Sequence, residues 1–213
     1  MELTIDTASV MASLAISQEG KTLAEMSWEC PRAHTVKLLP TIHLLLAHLG
    51  VALQEMKAIF VCIGPGAYMG LRVGIATAQG IAYALGVPTV GIGRLEAEAY
   101  PHWQCGRPVV AIHQTGRGQV AWAAYSPGGA SIVPPRLSPW EEMLALAPPG
   151  ALFCGEITPE AAQEIQTRGG IAVLGAPGQR RASYLAEIGY RRLQEGHSLP
   201  PHQLRPLYLR EAV

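Results

Sequence analysis

The chain has 213 residues, 49% of them hydrophobic and only 15% charged, with 16 basic side chains against 16 acidic ones. That is room for one large domain or two small ones with a real core. So neutral and apolar a chain is neither a disordered tail nor a basic arm that holds nucleic acid by phosphate neutralisation. The charge is also spread evenly: residues 1–106 carry six Lys/Arg against eight acids, and 107–213 carry ten against eight.

Three β-type runs open the chain, at 3–7, 10–16 and 22–29, with Gln18-Glu19-Gly20-Lys21 as the turn between the second and third. A helix follows from about 35 to 49 and ends at Gly50, placed as a C′ glycine. The run 58–63 is apolar throughout, as a buried parallel strand would be. Gly64-Pro65-Gly66 leads into a second helix over about 70–85, stopped by Gly86, and 87–92 reads as another buried strand.

From Arg107 the pattern partly restarts. Segments 108–113 and 119–125 read as a hairpin, with an edge strand at 131–134. Ser138-Pro139-Trp140-Glu141 offers an N-cap, an N1 proline and an N3 glutamate for a helix to about 147. Thr158-Pro159-Glu160 starts another helix in the same way, flanked by short strands at 151–154 and 171–174. A last helix spans 181–194, before an extended, proline-rich tail over 199–209. The reading is two α/β lobes with a boundary near 98–107, the second shorter and less regular.

The residues offer little catalytic chemistry. There is one aspartate, Asp6, and no asparagine, so an Asp-Asp dyad is impossible. The cysteines Cys30, Cys62, Cys105 and Cys154 stand too far apart for a CxxC pair and read as reduced thiols. No HxxxH, HExxH or GxSxG occurs. The N-terminus has acidic Glu2 and Asp6 where a signal peptide would be basic, and no apolar run approaches the ~20 residues of a membrane span. A soluble, cytoplasmic protein is expected.

Two places have the character of a binding site. Asp6-Thr7 ends the first strand, where Asp6 either caps its own turn or reaches a bound metal or water. Gly64, Gly66 and Gly70 join a buried strand to a helix start, a junction whose amides suit an anion, although neither a P-loop nor GxGxxG is present. The alternative is that these glycines serve only a tight turn and close helix packing.

The helices carry the stronger signal. In the sixteen residues from Gly70 to Leu85 only Arg72 is charged, and Gly70, Gly74, Ala78 and Ala82 recur every four positions. A helix apolar on all sides needs cover on all sides, which either the second lobe or another chain must supply; another chain is favoured. On the preceding helix Leu38, Leu39, Ile42, Leu45, Leu46 and Leu49 form a core stripe. Val36, Pro40, Leu44 and Ala47 form a second apolar patch away from it.

The segments LTIDTASVMASLAI, HTVKLLPTIHLLLAHLG, AIFVCIGPGAYMGLRVGIATAQGIAYALGVPTVGI and PLYLR resemble the TsaB (YeaZ) family, accessory proteins of tRNA threonylcarbamoyladenosine synthesis. The resemblance is strong over about 2–95, weak through the second lobe, and returns at the C-terminus. It implies an α/β actin/Hsp70-like ATPase (ASKHA) fold of two RNase H-like lobes, 1–100 and a reduced 101–213 whose tail returns to the first. It also implies a non-catalytic subunit that pairs with, and activates, a TsaD-type threonylcarbamoyltransferase, with a TsaE-type ATPase joining them. ATP/ADP and metal would then be used by those subunits, tRNA would be met only within the complex, and the chain alone would form a homodimer. Carried onto this chain, the partner surface would comprise Val36, Leu39, Pro40, His43, Leu44, Ala47, Arg72, Gly74, Ala78 and Ala82.

Some positions depart from the family pattern. Asp6-Thr7-Ala8 stands for Asp-Thr-Ser, Ala67-Tyr68-Met69 for Ser-Phe-Thr, and the region from His113 to Ala121 lacks the usual Asp-Ala-Arg. These weaken a nucleotide or metal site of the chain's own. Competing readings are an autonomous actin-fold ATPase or kinase, which generally needs acids in both lobes, and a glycoprotease-like metallopeptidase, for which the histidine pair is missing.

Overall fold

The computed structural model describes residues 1–31 and 34–209. The chain divides into two compact units, Met1–Arg94 with Arg181–Leu207, and Leu95–Arg180 with the segment from Tyr208.

The first unit is built on strands β1 (Glu2–Asp6), β2 (Met11–Gln18) and β3 (Lys21–Glu29), helix α1 (His34–Leu49), strand β4 (Ala58–Gly64), helix α2 (Tyr68–Leu85) and strand β5 (Thr89–Gly93). The sheet order is β3-β2-β1-β4-β5; the first three strands are antiparallel, and β4 and β5 run parallel to β1. Alternation along the strands sorts the two faces. Leu3, Ile5, Leu14, Ile16, Ile59 and Val61 pack with Leu38, Ile42 and Leu45 of α1 and Ile75, Ala78 and Ala82 of α2. On the other face Phe60 lies under a helix from the far end of the chain, where a Cβ on Gly189 would stand 2.6 Å from the Phe60 ring.

The second unit repeats that order. Helix α3 (Arg94–Ala99) leads into β6 (Val109–Gly116), β7 (Gln119–Tyr125), β8 (Ser131–Pro139), α4 (Trp140–Leu146), β9 (Leu152–Gly155), α5 (Pro159–Thr167) and β10 (Ile171–Ala172). The sheet order β8-β7-β6-β9-β10 matches that of the first unit, with β6-β7-β8 antiparallel and β9 and β10 parallel to β6. With β10 only two residues long, this is the reduced lobe of a two-lobed ASKHA fold.

The division differs from the boundary expected near 98–107 and from lobes of 1–100 and 101–213. Helix α3, which lies mostly before that expected boundary, puts Leu95 and Ala99 into a cluster with Trp103, Val109, Tyr125 and Cys154 of the second unit. Helix α6 (Ala182–Gln194) belongs to the first unit, where the Ser183 amide donates to Glu25 (3.0 Å) and Arg181 pairs with the same carboxylate at 3.2 Å. A single sequence window cannot reveal these exchanges, because each helix finds its sheet far away along the chain. The tail also joins the first unit as far as Leu207. Leu199 exchanges amide bonds with Thr89, Gln79 donates to the Pro201 and Leu204 carbonyls, and the Leu207 amide donates to Ile63. Arg210, the last residue of PLYLR, lies outside the described residues.

Two local expectations met different outcomes. Thr158 caps α5 by accepting from the Ala161 amide at 3.2 Å. Ser138 does not cap α4: β8 continues to Pro139, and the Ser138 hydroxyl instead accepts from the buried Trp122 indole at 2.9 Å.

Candidate partner-binding surface

Helices α1 and α2 lie on the same face of the first sheet, and each turns a second side away from it. On α1 the sheet-facing stripe is Leu38, Ile42, Leu45 and Leu46, all buried. The outer side carries Val36, Leu39, Pro40, His43, Leu44 and Ala47, all exposed. Val36 is 73% exposed, Leu39 57% and Leu44 56%. Leu39, expected in the core stripe as well as at the interface, belongs to the outer side alone. Fully burying one such side chain is worth roughly 1.5–3 kcal/mol, so these three together represent about 3–5 kcal/mol still available to a partner.

On α2 the expectation needs correcting. Gly74, Ala78 and Ala82 are buried against the chain's own sheet, so the outward side of α2 does not present them. Their small size lets α2 press onto β1 and β4: a Cβ on Gly74 would stand 2.3 Å from the Thr7 hydroxyl oxygen. Arg72 is exposed, with its guanidinium carbon 4.8 Å above the Tyr68 ring. At 100° per residue the outward residues of α2 are Met69, Arg72, Ala76, Gly80, Tyr83 and Ala84. A Cβ on Gly80 meets nothing within 4 Å. Sequence reasoning took one stripe of small residues where there are two, and the outward one, Ala76-Gly80-Ala84, is the one a partner can reach.

Between the helix N-termini, Ser9, Val10, Pro31, Thr35, Ala67, Met69, Gly70 and Val73 line a cleft of about 390 Å³. A second groove of about 410 Å³ lies between α1 and β3, lined by Leu23, Glu25, Met26, Leu44 and His48 among others. Both open onto the edges of the two-helix surface.

The residues proposed for an anion do come together, in interlocking structural contacts. Asp6 Oδ1 accepts the Ala8 amide at 3.0 Å, so Asp6 caps its own turn. The buried Thr7 hydroxyl donates to the Gly70 carbonyl at 2.7 Å, tying that turn to the start of α2. The Ala67 amide donates to the Ala8 carbonyl at 2.8 Å, and a Cβ on Gly66 would stand 2.2 Å from that carbonyl oxygen. Gly64 has φ 106° and a Cβ there would press on Leu71 and the Leu207 carbonyl. Both glycines are demanded by backbone geometry and close approach.

In the second unit the sequence reading noted His113 where a carboxylate is usual. A carboxylate is present at that end of β6 all the same, supplied by Glu156 just after β9. Its Oε2 lies 2.8 Å from His113 Nδ1 and accepts the Gln114 amide at 2.9 Å. The pair was illegible because its members are 43 residues apart. Burial, reinforced by Glu98, pushes the Cys154 thiol well above its usual range, so it is held protonated and is no nucleophile. Among the described residues, no three His, Cys, Asp or Glu side chains are grouped so as to hold a metal ion, and no helix is long and apolar enough to cross a membrane.

The family model for "TsaD: tRNA N6-adenosine threonylcarbamoyltransferase" matches residues 28–173. The tRNA threonylcarbamoyladenosine biosynthesis protein TsaB of Bacillus subtilis is 31% identical over 220 residues, covering 99% of this chain and 94% of that protein. The chain belongs to the TsaB family. The TsaB of Escherichia coli is 34% identical over 58% of this chain and 54% of its own length. YeaZ from Pseudomonas aeruginosa superposes with a TM-score of 0.81 at 26% identity, covering 98% of this chain and 99% of that one. The activator of 2-hydroxyisocaproyl-CoA dehydratase from Clostridium difficile shares the fold alone, with a TM-score of 0.54 at 9% identity. Membership of the TsaB family thus rests on near full-length similarity, and the ASKHA fold on structure.

Proposed function

We propose that this TsaB-family protein is the non-catalytic subunit that pairs with and activates a TsaD-type threonylcarbamoyltransferase. The product is N6-threonylcarbamoyladenosine at position 37 of tRNAs reading codons beginning with A. The pairing surface is the outer side of α1 and α2: Val36, Leu39, Pro40, His43, Leu44 and Ala47 with Arg72, Ala76, Gly80 and Tyr83. The observation that carries this reading is the apolar outer side of α1, which the chain's own sheet leaves exposed. The same surface serves a homodimer when the partner is absent. ATP/ADP and metal are handled by the TsaD-type and TsaE-type subunits, tRNA is met within the complex, and the work is done in the cytoplasm.

The test is co-purification with the TsaD-type subunit of the same organism, followed by assays of each protein alone and of the pair. The expected result is a stable complex, tRNA modification only when both are present, and no appreciable ATP hydrolysis by this protein alone. Turnover by the isolated protein that Asp6→Ala abolishes would instead establish an autonomous ATPase.

A further inference from the structure

We infer that Gln79 is a positioning residue for partner recognition: through the segment 199–207 it fixes the half of α2 that presents Ala76, Gly80 and Tyr83. This deepens the pairing surface proposed above and rests on it. Of the six residues that α2 buries, Gly70, Gly74, Ala78 and Ala82 have no side chain beyond Cβ, leaving Leu71 and Ile75 as the large ones. Ridges that interdigitate need longer side chains. That side therefore sets how closely α2 lies on the sheet, and restrains its roll and slide less. The start of the helix is fixed separately, by the Thr7 hydroxyl on the Gly70 carbonyl. From Arg72 to Leu85, Gln79 alone among the described residues makes a side-chain hydrogen bond outside the helix. Its Nε2 donates to the Pro201 carbonyl at 2.9 Å and to the Leu204 carbonyl at 3.2 Å. Gln79 lies about 13 Å along the helix axis from Gly70, so the two anchors restrain α2 at separate points.

The segment that accepts these bonds is itself fastened to the sheet on both sides of them. Leu199 exchanges amide bonds of 2.8 and 3.0 Å with Thr89 of β5, and the Leu207 amide donates to the Ile63 carbonyl of β4 at 2.7 Å. Between them Leu204 is buried, and a Cβ on Gly91 would stand 3.2 Å from its Cδ1. Gln79 thus ties α2 to β4 and β5 through a rigid intermediary. It stands about 20° round the helix from Arg72 and about 40° from Tyr83, half-buried on the flank beside the residues it steadies. Without its two bonds, the second half of α2 has to be ordered when a partner docks, a cost that a pre-organised helix avoids. The same cost falls on pairing with the TsaD-type subunit and on pairing with a second copy.

The test compares the wild type with Gln79→Met, of similar length but without donors, and with Gln79→Glu, which sets acceptor oxygens against the two carbonyls. Gly80→Arg serves as the control for the surface itself. Hydrogen exchange is measured on each free protein, and affinity for the TsaD-type subunit by biolayer interferometry. In Gln79→Met the amides of Gly80–Leu85 should exchange about tenfold faster, as the loss of two ordinary hydrogen bonds implies. In Gln79→Glu they should exchange faster still, while β1 and the first turn of α2 stay as in the wild type. Affinity should fall in the same order, by about tenfold for Gln79→Met. Weaker binding with unchanged exchange would make Gln79 a direct contact and overturn the inference. Faster exchange with unchanged affinity, or exchange raised equally throughout the sheet, would leave it a merely structural residue and overturn the inference too. Both outcomes leave the pairing surface standing if Gly80→Arg abolishes binding. Binding by Gly80→Arg equal to wild type would overturn the surface, and the inference with it.

Discussion

Substituting arginine at Gly80 and at Ala78 separates the two faces of one helix. At Gly80 a Cβ meets nothing within 4 Å and the position is exposed. Arginine is a far better helix former than glycine, by about 0.6–1 kcal/mol in a helix interior. Gly80→Arg is therefore expected to keep or raise stability. At about 2–4 °C per kcal/mol for a chain of this size, the melting temperature should rise by about 1–4 °C. The same side chain stands in the middle of Ala76-Gly80-Ala84, where the proposed pairing brings a partner into close approach. Loss of that approach is expected to cost 2 kcal/mol or more, about a 30-fold weaker complex.

Ala78→Arg has the opposite profile. Ala78 is fully buried between α2 and the sheet, so a guanidinium there is an unpaired buried charge in an overfilled site, and the protein should not fold. Thermal melts and binding to the TsaD-type subunit read both variants. The reasoning is refuted if Gly80→Arg binds normally, or if Ala78→Arg folds and only binding suffers, since the inward and outward stripes would then have been assigned the wrong way round.

Other consequences follow from contacts elsewhere. Gly74→Ala drives a Cβ to within 2.3 Å of the Thr7 hydroxyl and should lower stability by about 1–3 kcal/mol, measured by urea unfolding. Arg180 and Glu98 form a buried ion pair at 2.9 Å; Arg180→Met alone should cost about 3–5 kcal/mol, and Arg180→Met/Glu98→Gln together less than the sum of the singles. Of the four cysteines only Cys105 is exposed, so a thiol reagent should label one site in the native protein and four after denaturation. Leu44→Ser should leave the melting temperature within about 1–2 °C of wild type, because the residue is exposed, yet weaken partner binding by about 1–2 kcal/mol.

The strands and long helices were legible because their signals are local: an apolar run between glycines for β4, a C′ glycine closing α1 and α2, a Thr158 cap for α5. The outer patch of α1 was legible for the same reason, since a core stripe leaves any further apolar residues of a helix facing elsewhere. On α2 that logic failed. Nearly every residue is apolar or small, so periodicity cannot say which small residues face the sheet, and only the packing of Gly74 on Thr7 decides it. Glu156 beside His113, α3 in the second unit and α6 in the first were illegible because each depends on a contact distant along the chain.

The interlocked contacts at the start of α2 bear on stability and, in the proposed pairing, on recognition. Thr7 grips the Gly70 carbonyl, Asp6 holds the Ala8 amide, and the Ala8 carbonyl accepts from Ala67 directly before the helix begins. These bonds anchor the first turn of α2 to the tip of β1, the most deeply buried strand of the unit. The first turn is also where Tyr68, Met69 and Arg72 are presented. A motif that reads as a phosphate cradle is thus engaged in structural bonds, and in the proposed pairing it is a fixed mount for the contact face. Asp6→Ala should therefore weaken partner binding through the pose of Tyr68 and Arg72, with no nucleotide involved. The decisive readout is partner affinity with and without ATP: an Asp6→Ala defect that appears only when ATP is present would assign the residue to nucleotide after all, whereas an equal defect in both conditions assigns it to the mount.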